Sequence, residues 1–288
     1  MDASILIAVL AGAMICCLTT CVQGDETADE VLARANVAWE KKQPKEAIQL
    51  ATKAIELDPK NSQSFLVRGK MYESLDKHAE AIADFSETIK LNPKAAEAYD
   101  RRGSERFRIG KIKESIEDFD TYLKQAPKEM PKHWKRGISY YYVGRYEDGA
   151  KQFEAYQDVD GADVENVVWR YMCMARKDGV EKARAGLLKV GEDKRIPLMR
   201  VYDLFAGKAK PEDVLAAVEE GKASDDERGL RFFYAHLYLG LYYEAEGDKK
   251  KSREHMTNAA VDYPSRGYMG DVARVHLELR NKEGKPKD

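Results

Sequence analysis

Three residue types return in this chain at one fixed interval of 34 residues: Gly69, Gly103 and Gly137; Phe85, Phe119 and Phe153; Pro59, Pro93 and Pro127. Ala35 fills the glycine place one interval earlier, and a second small-residue place reads Ala47, Ala81, Ser115 and Gly149. Unrelated residue types that keep one period mark a repeated supersecondary unit, which buries its apolar face only by stacking on its neighbours. The physical reading is a helical hairpin. Small residues sit where two helix backbones cross, since a larger side chain would push them apart. Phenylalanine is expected to fill the space between hairpins. Proline stops the second helix, because it lacks an amide hydrogen and disfavours helix at the residue before it.

The interval divides the chain into four units at 28–163, and a further unit at 233–266 keeps Gly240, Tyr243, Gly247, Ala259 and Pro264 in register. Residues 164–232 lack the signature, yet Gly137 and Gly240 are 103 apart, so two degenerate helical hairpins fit between them. Pro211 opens "PEDVLAAVEEG" and Gly221 closes it, while Ser224 and Glu227, like Thr27 and Glu30, form a capping-box pattern. Residues 267–280 read as a helix capping the last apolar edge, and 281–288 as a disordered tail. Together these residues resemble the tetratricopeptide repeat. The resemblance implies an all-α, right-handed superhelical solenoid of about six helical hairpins with a C-terminal capping helix.

Residues 3–22 carry no charge and lead into a polar chain, which reads as a secretory signal peptide over 1–24 or, if retained, an N-terminal membrane anchor. "LTTC" also resembles a bacterial lipobox and makes Cys21 a lipidation candidate. The chain is therefore expected to be exported to the periplasm or cell envelope. Three of the four cysteines lie in this leader, so Cys173 stands alone in the body and reads as a buried, inert residue.

The 48 basic and 50 acidic residues nearly cancel, and no net field draws the chain to nucleic acid. Five histidines are scattered singly, with no paired-histidine, calcium-loop, phosphate-loop or nucleophile-elbow motif. No catalytic residue, metal site or cofactor is expected. Arg34, Arg68, Arg102 and Arg136 form a strict 34-residue ladder. Each is read as a structural partner of the facing helix, with Arg68 on Asp84 and Arg102 on Asp118, rather than as a ligand ladder.

What remains is the inner face, lined by the first helix of each unit. The tetratricopeptide resemblance implies that Asn36, Trp39, Lys70, Phe107, Arg108, Trp134, Tyr141 and Tyr142 face it, a set rich in the aromatic and arginine side chains that anchor protein interfaces. A clamp for a C-terminal dicarboxylate is not matched, since only Asn36 agrees while Leu32, Asp100 and Ser104 hold the other places. The stretches His133 to Cys173 and Arg231 to Asp248 resemble the NlpI-type lipoproteins of bacterial envelopes. That resemblance implies a non-enzymatic adaptor for envelope proteases or peptidoglycan hydrolases, with protein or peptide partners, often as a homodimer. A structural assembly factor of a secretion or outer-membrane complex is the alternative. Ala51, standing where an aromatic belongs, reads as an underfilled edge that a second copy could complete.

Overall fold

The computed structural model describes residues 26–283. The expected signal segment, Cys21 and residues 284–288 lie outside the described residues.

The described residues are all-α. Four hairpins come first: α1 (Ala28–Glu40) with α2 (Pro44–Leu57), α3 (Ser62–Ser74) with α4 (His78–Leu91), α5 (Ala96–Arg108) with α6 (Ile112–Gln125), and α7 (Trp134–Tyr142) with α8 (Tyr146–Tyr156). Two shortened pairs follow, α9 (Val164–Asp178) with α10 (Val180–Ala185) and α11 (Leu198–Phe205) with α12 (Pro211–Ala217). A last hairpin joins α13 (Asp225–Ala245) to α14 (Lys249–Thr257), and α15 (Tyr268–Glu283) closes the described chain. Residues 281–283, expected in a disordered tail, are the last turn of α15.

Local chemistry sets the helix ends. The Thr27 hydroxyl accepts from the Glu30 amide at 3.3 Å, and the Glu30 carboxylate accepts from the Thr27 amide at 2.9 Å, closing the capping box that opens α1. Helices α2, α4 and α6 stop two residues before Pro59, Pro93 and Pro127. Each hairpin turns through one left-handed residue, and these recur one interval apart: Lys42 (φ 59°), Asp76 (φ 55°), Gly110 (φ 76°) and Gly144 (φ 77°). Glycine takes this conformation freely, whereas Lys42 carries a Cβ into it.

The recurring glycines and aromatics meet inside each hairpin, not between hairpins as expected. A Cβ on Gly69, Gly103 or Gly137 would lie 2.7–2.8 Å from the ring of Phe85, Phe119 or Phe153 respectively. Met256 takes the ring's place over Gly240 at 2.8 Å. Alanine at such a site would gain about 1 kcal/mol of helix propensity and lose about 1–3 kcal/mol to overpacking, so glycine wins. The first hairpin solves the same volume problem with two methyl groups. Ala35 replaces the glycine, Ala51 replaces the aromatic, and both are fully buried. Ala51 is therefore not an underfilled edge, and the expectation of a second copy built on it loses its ground.

The arginine ladder joins the stack. Arg68 donates two bonds of 2.8 Å to Asp84 in its own hairpin and one of 3.0 Å to Thr52 in the preceding one. Arg102 repeats this with Asp118 (3.0 and 2.7 Å) and Ser86 (3.1 Å), and Arg136 with Gln152 and Asp120. Each of these three guanidinium groups thus ties the second helices of consecutive hairpins to the first helix between them. Arg34, at the start of the stack, lies exposed and pairs with Glu26.

Candidate protein-binding groove

The first helices α1, α3, α5 and α7 present their fourth-residue rows to one face, and the two ends of that face differ. Among the described residues it is open at the N-terminal end. Asn36 and Trp39 from α1, Val67, Lys70 and Met71 from α3, and Arg101 from α5 surround a depression of about 280 Å³. Asn36 is exposed and Trp39 partly buried. The cations here are paired: Lys70 with Glu97 at 3.0 Å, and Arg101 with Glu73 at 2.5 Å and Glu97 at 2.8 Å. The rim therefore alternates in charge around an apolar floor made by Trp39, Val67 and Met71.

From α5 onward the same face is covered by α15. Tyr268 stacks on Phe107, with ring centres 5.0 Å apart, and meets Trp134 edge-on at 5.1 Å. Asp271 accepts from Arg108 at 2.7 Å, and Arg274 donates to the Arg108 carbonyl at 2.9 Å. Farther along, the Tyr142 hydroxyl meets His276 Nδ1 at 3.1 Å. Glu244 of α13 accepts from Tyr141 at 2.8 Å and from Arg280 at 2.6 Å. Burial alone would raise the Glu244 carboxyl, but the charges of His276 and Arg280 outweigh it and hold it below the usual range.

This arrangement divides the residues expected to bind a partner. Asn36, Trp39 and Lys70 line the open end. Phe107 and Tyr141 are 0% and 1% exposed, and Arg108, Trp134 and Tyr142 touch α15. Those five are corrected from partner-binding to intramolecular contacts: α15 lies over Phe107, Arg108, Trp134 and Tyr142, and Tyr141 is held by Glu244 of α13 and the Trp169 ring of α9. Burial pushes the phenols of Tyr141 and Tyr142 well above their ordinary range. Arg101 is the open-end residue that the pattern missed. Its signal was its place beside Asp100 with Glu97 four residues before it, the spacing at which helical side chains pair.

A charged cluster marks the boundary. Glu105 is fully buried and pairs with Arg108 and, at 2.7 Å, with His78. Arg108 also approaches Glu73 at 3.5 Å. Behind it Asp100 receives Lys135 at 3.0 Å and His133 at 2.8 Å. Burial would raise Asp100, yet the His133 hydrogen bond and the Lys135 charge hold it at about 2. Cys173 lies fully buried, with its sulfur against Gly149, and burial pushes its thiol well up, away from the reactive thiolate.

A tetratricopeptide repeat family model matches residues 32–96 and 68–129. The chain belongs to the tetratricopeptide repeat family. Tetratricopeptide domains mediate protein–protein interactions, and the fold is typically a non-catalytic scaffold. A tetratricopeptide repeat protein from Parabacteroides merdae is similar over 88% of this chain and 98% of its own, at 15% identity and a TM-score of 0.57. The MamA protein is similar over 69% of this chain and 99% of its own, at 18% identity and a TM-score of 0.53. Both similarities show the tetratricopeptide fold alone. The first tetratricopeptide domain of Spaghetti (RPAP3), bound to an HSP90 peptide, is 31% identical over 35% of this chain and 82% of its own, with a TM-score of 0.34. No curated protein matches the chain.

Proposed function

We propose that the protein is an exported, non-enzymatic adaptor of the cell envelope that holds a segment of a partner protein in the open end of its inner face. One observation carries this reading: Asn36, Trp39, Lys70 and Arg101 converge on a solvent-facing depression, while the rest of the face is filled. The occupant is a protein segment with one apolar side chain for the Trp39, Val67 and Met71 floor and mixed charges for the Lys70–Glu97 and Arg101–Glu73 rim. The uncharged leader at 3–22 and the resemblance to NlpI-type lipoproteins support an envelope location, with Cys21 as a lipid attachment point. The same resemblance makes envelope proteases and peptidoglycan hydrolases the partners of choice.

Capture from an envelope extract tests this, comparing the native chain with a Trp39→Ala, Lys70→Glu variant. A protease or cell-wall hydrolase enriched by the native chain and lost from the folded variant is the expected outcome. Survival of the same partners would overturn the groove. It would favour the assembly-factor reading, for which Leu75 (37% exposed) and Ile109 (40% exposed), one interval apart just beyond α3 and α5, offer an aliphatic row.

A further inference from the structure

A second cavity, of about 290 Å³, opens where the C-terminal part of α9, the α13–α14 hairpin and the second half of α15 meet. Its lining carries a surplus of positive charge. Arg176 of α9, Lys249 and Arg253 of α14, and Arg280 of α15 stand there with His276, against one carboxylate, Glu244. That carboxylate is already matched, since Arg280 donates to it at 2.6 Å and Tyr141 at 2.8 Å. Asp248, next to Lys249 in the chain, is taken up by the first turn of α14, where it accepts from the Lys251 amide at 3.0 Å. Arg176, Lys249 and Arg253 are left over.

These cations are exceptions in the chain. Among the described residues every arginine other than Arg176, Arg253 and Arg266 pairs with a carboxylate, and two of those three line this one cavity. Arg176 has the Tyr146 hydroxyl instead, at 3.3 Å. Lys249 and Arg253 stand four residues apart on α14, a spacing at which like charges repel. Lys249 also occupies the first turn, the end at which the helix dipole opposes a cation. An anion bound among them would remove both conflicts. Beside Arg253, Ser252 is 6% exposed and lines the cavity. Its hydroxyl has no partner among the described residues and, unlike the hydroxyls of Ser64 and Ser115, it is not sealed from solvent. Half-buried Leu277 adds an apolar wall.

This donor set matches a phosphoryl group better than a carboxylate. A phosphate monoester presents three acceptor oxygens and about two negative charges. Guanidinium groups bind it bidentately and an ammonium binds it as a point charge. We infer that this cavity binds a phosphate monoester, its phosphoryl group held by Arg176, Lys249, Arg253 and Ser252 and its organic body against Leu277. The site goes beyond the adaptor reading and is separate from the open groove: none of Asn36, Trp39, Lys70 or Arg101 lines it. Because α9, α14 and α15 all contribute to it, an occupant fastens the closing helix to the covered half.

Calorimetric titration of the full chain at low salt with glycerol 3-phosphate and with phenyl phosphate tests the site. Glycerol is the control without charge, and succinate is the dianion without a phosphoryl group. At least one ester should bind with a dissociation constant near or below ~1 mM, with both controls at least about tenfold weaker. Arg253 is exposed, so Arg253→Gln keeps the fold, and it should weaken the ester by about tenfold; Ser252→Ala should weaken it by about threefold. Arg266→Gln removes the unpaired arginine that lies outside the cavity and should leave the constant unchanged. If the soluble esters fail, phosphatidylcholine vesicles containing phosphatidic acid present the same group on a lipid, and sedimentation with them that Arg253→Gln abolishes places the ligand in the membrane. Absence of binding to both esters and vesicles, equal binding of succinate, or equal weakening by Arg266→Gln and Arg253→Gln would overturn the assignment.

Discussion

Hairpins one and two and the remainder of the chain are built on the same interval, yet they end as different kinds of object. In the first two, buried apolar side chains form small separate clusters, one around Val31, Ala35, Ala51 and Met71 and another around Leu66 and Phe85 that reaches Ala98 of α5. From Phe107 onward a single cluster runs through α7, α9, α11 and α13 to Val272, Ala273 and Val275 of α15. The repeat makes the hairpin in both places. Whether its inner face becomes a groove or a core is decided by whether another segment of the chain lies across it. The open end is stabilised unit by unit through neighbours, whereas the covered end is held as one body.

Removing residues 268–288 breaks that contrast most directly. Val272, Ala273 and Val275 are fully buried, and Tyr268 covers Phe107 and Trp134. At about 1.5–3 kcal/mol per large buried side chain, the covered end should lose more than about 5 kcal/mol while hairpins one and two keep their helicity. Urea unfolding followed by tryptophan fluorescence checks this, because Trp39 reports on the open end and Trp134 and Trp169 on the covered one. A single transition at the native midpoint would remove the distinction.

Phe107→Ala and Trp39→Ala form the next pair. The first should cost about 3–5 kcal/mol, while partly exposed Trp39 should cost less than about 2 kcal/mol and act on partner affinity. Equal losses in thermal melts would mean that the groove floor is core.

Asp118→Asn tests the ladder that both ends share. Asp118 is 3% exposed and receives Arg102 and Arg106, the latter at 2.7 Å, so the change should cost about 2 kcal/mol. An unchanged melting temperature, or a loss of partner binding with native stability, would return the ladder to a binding role.

A pH scan gives a smaller effect confined to the covered end. His236 faces His255 at 2.9 Å and packs on Phe232 and Tyr263, with Asp262 and Glu254 nearby. Burial first, and then the His255 charge, lower it from 6.5 to about 4. The unfolded chain therefore binds a proton that the folded one refuses, and this contribution to stability is lost as pH falls from 6.5 to about 4. His236→Gln should flatten that part of the melting curve, and an unaltered slope would reject the assignment.

The smallest expected change lies at a hairpin tip. Lys42→Gly relieves a left-handed lysine worth about 1–2 kcal/mol against about 0.5–1 kcal/mol of added backbone entropy. A gain of at most about 1 kcal/mol in chemical denaturation is expected, and a loss would show that the lysine stem contributes packing.

Local physics made much of this legible beforehand. The period located the hairpins, proline their ends, and a separation of 16 residues the pairing of Arg68 with Asp84 and Arg102 with Asp118. The ring over the glycine was misplaced because periodicity says which residues recur, not which of two adjacent gaps they fill. The covered half of the inner face was missed for a different reason. Phe107 and Tyr268 are 161 positions apart, and no spacing rule connects them. A trace was nevertheless present, since Tyr268, Met269, Val272, Ala273, Val275, Leu277 and Leu279 spread apolar surface around more than one side of α15. A helix that caps a single edge needs one apolar stripe, and one that lies between neighbours needs more.

The return of α15 onto α5 and α7 also orders events during synthesis. Hairpins one and two can pair with their neighbours as they leave the ribosome, since their contacts come from each other and from the unit that follows. Phe107, Trp134 and Tyr142 emerge long before the helix that shelters them, and they stay exposed until the final residues arrive. The nascent chain is therefore most vulnerable to aggregation while its second half is being made, and any factor that escorts it has the longest interval in which to act then.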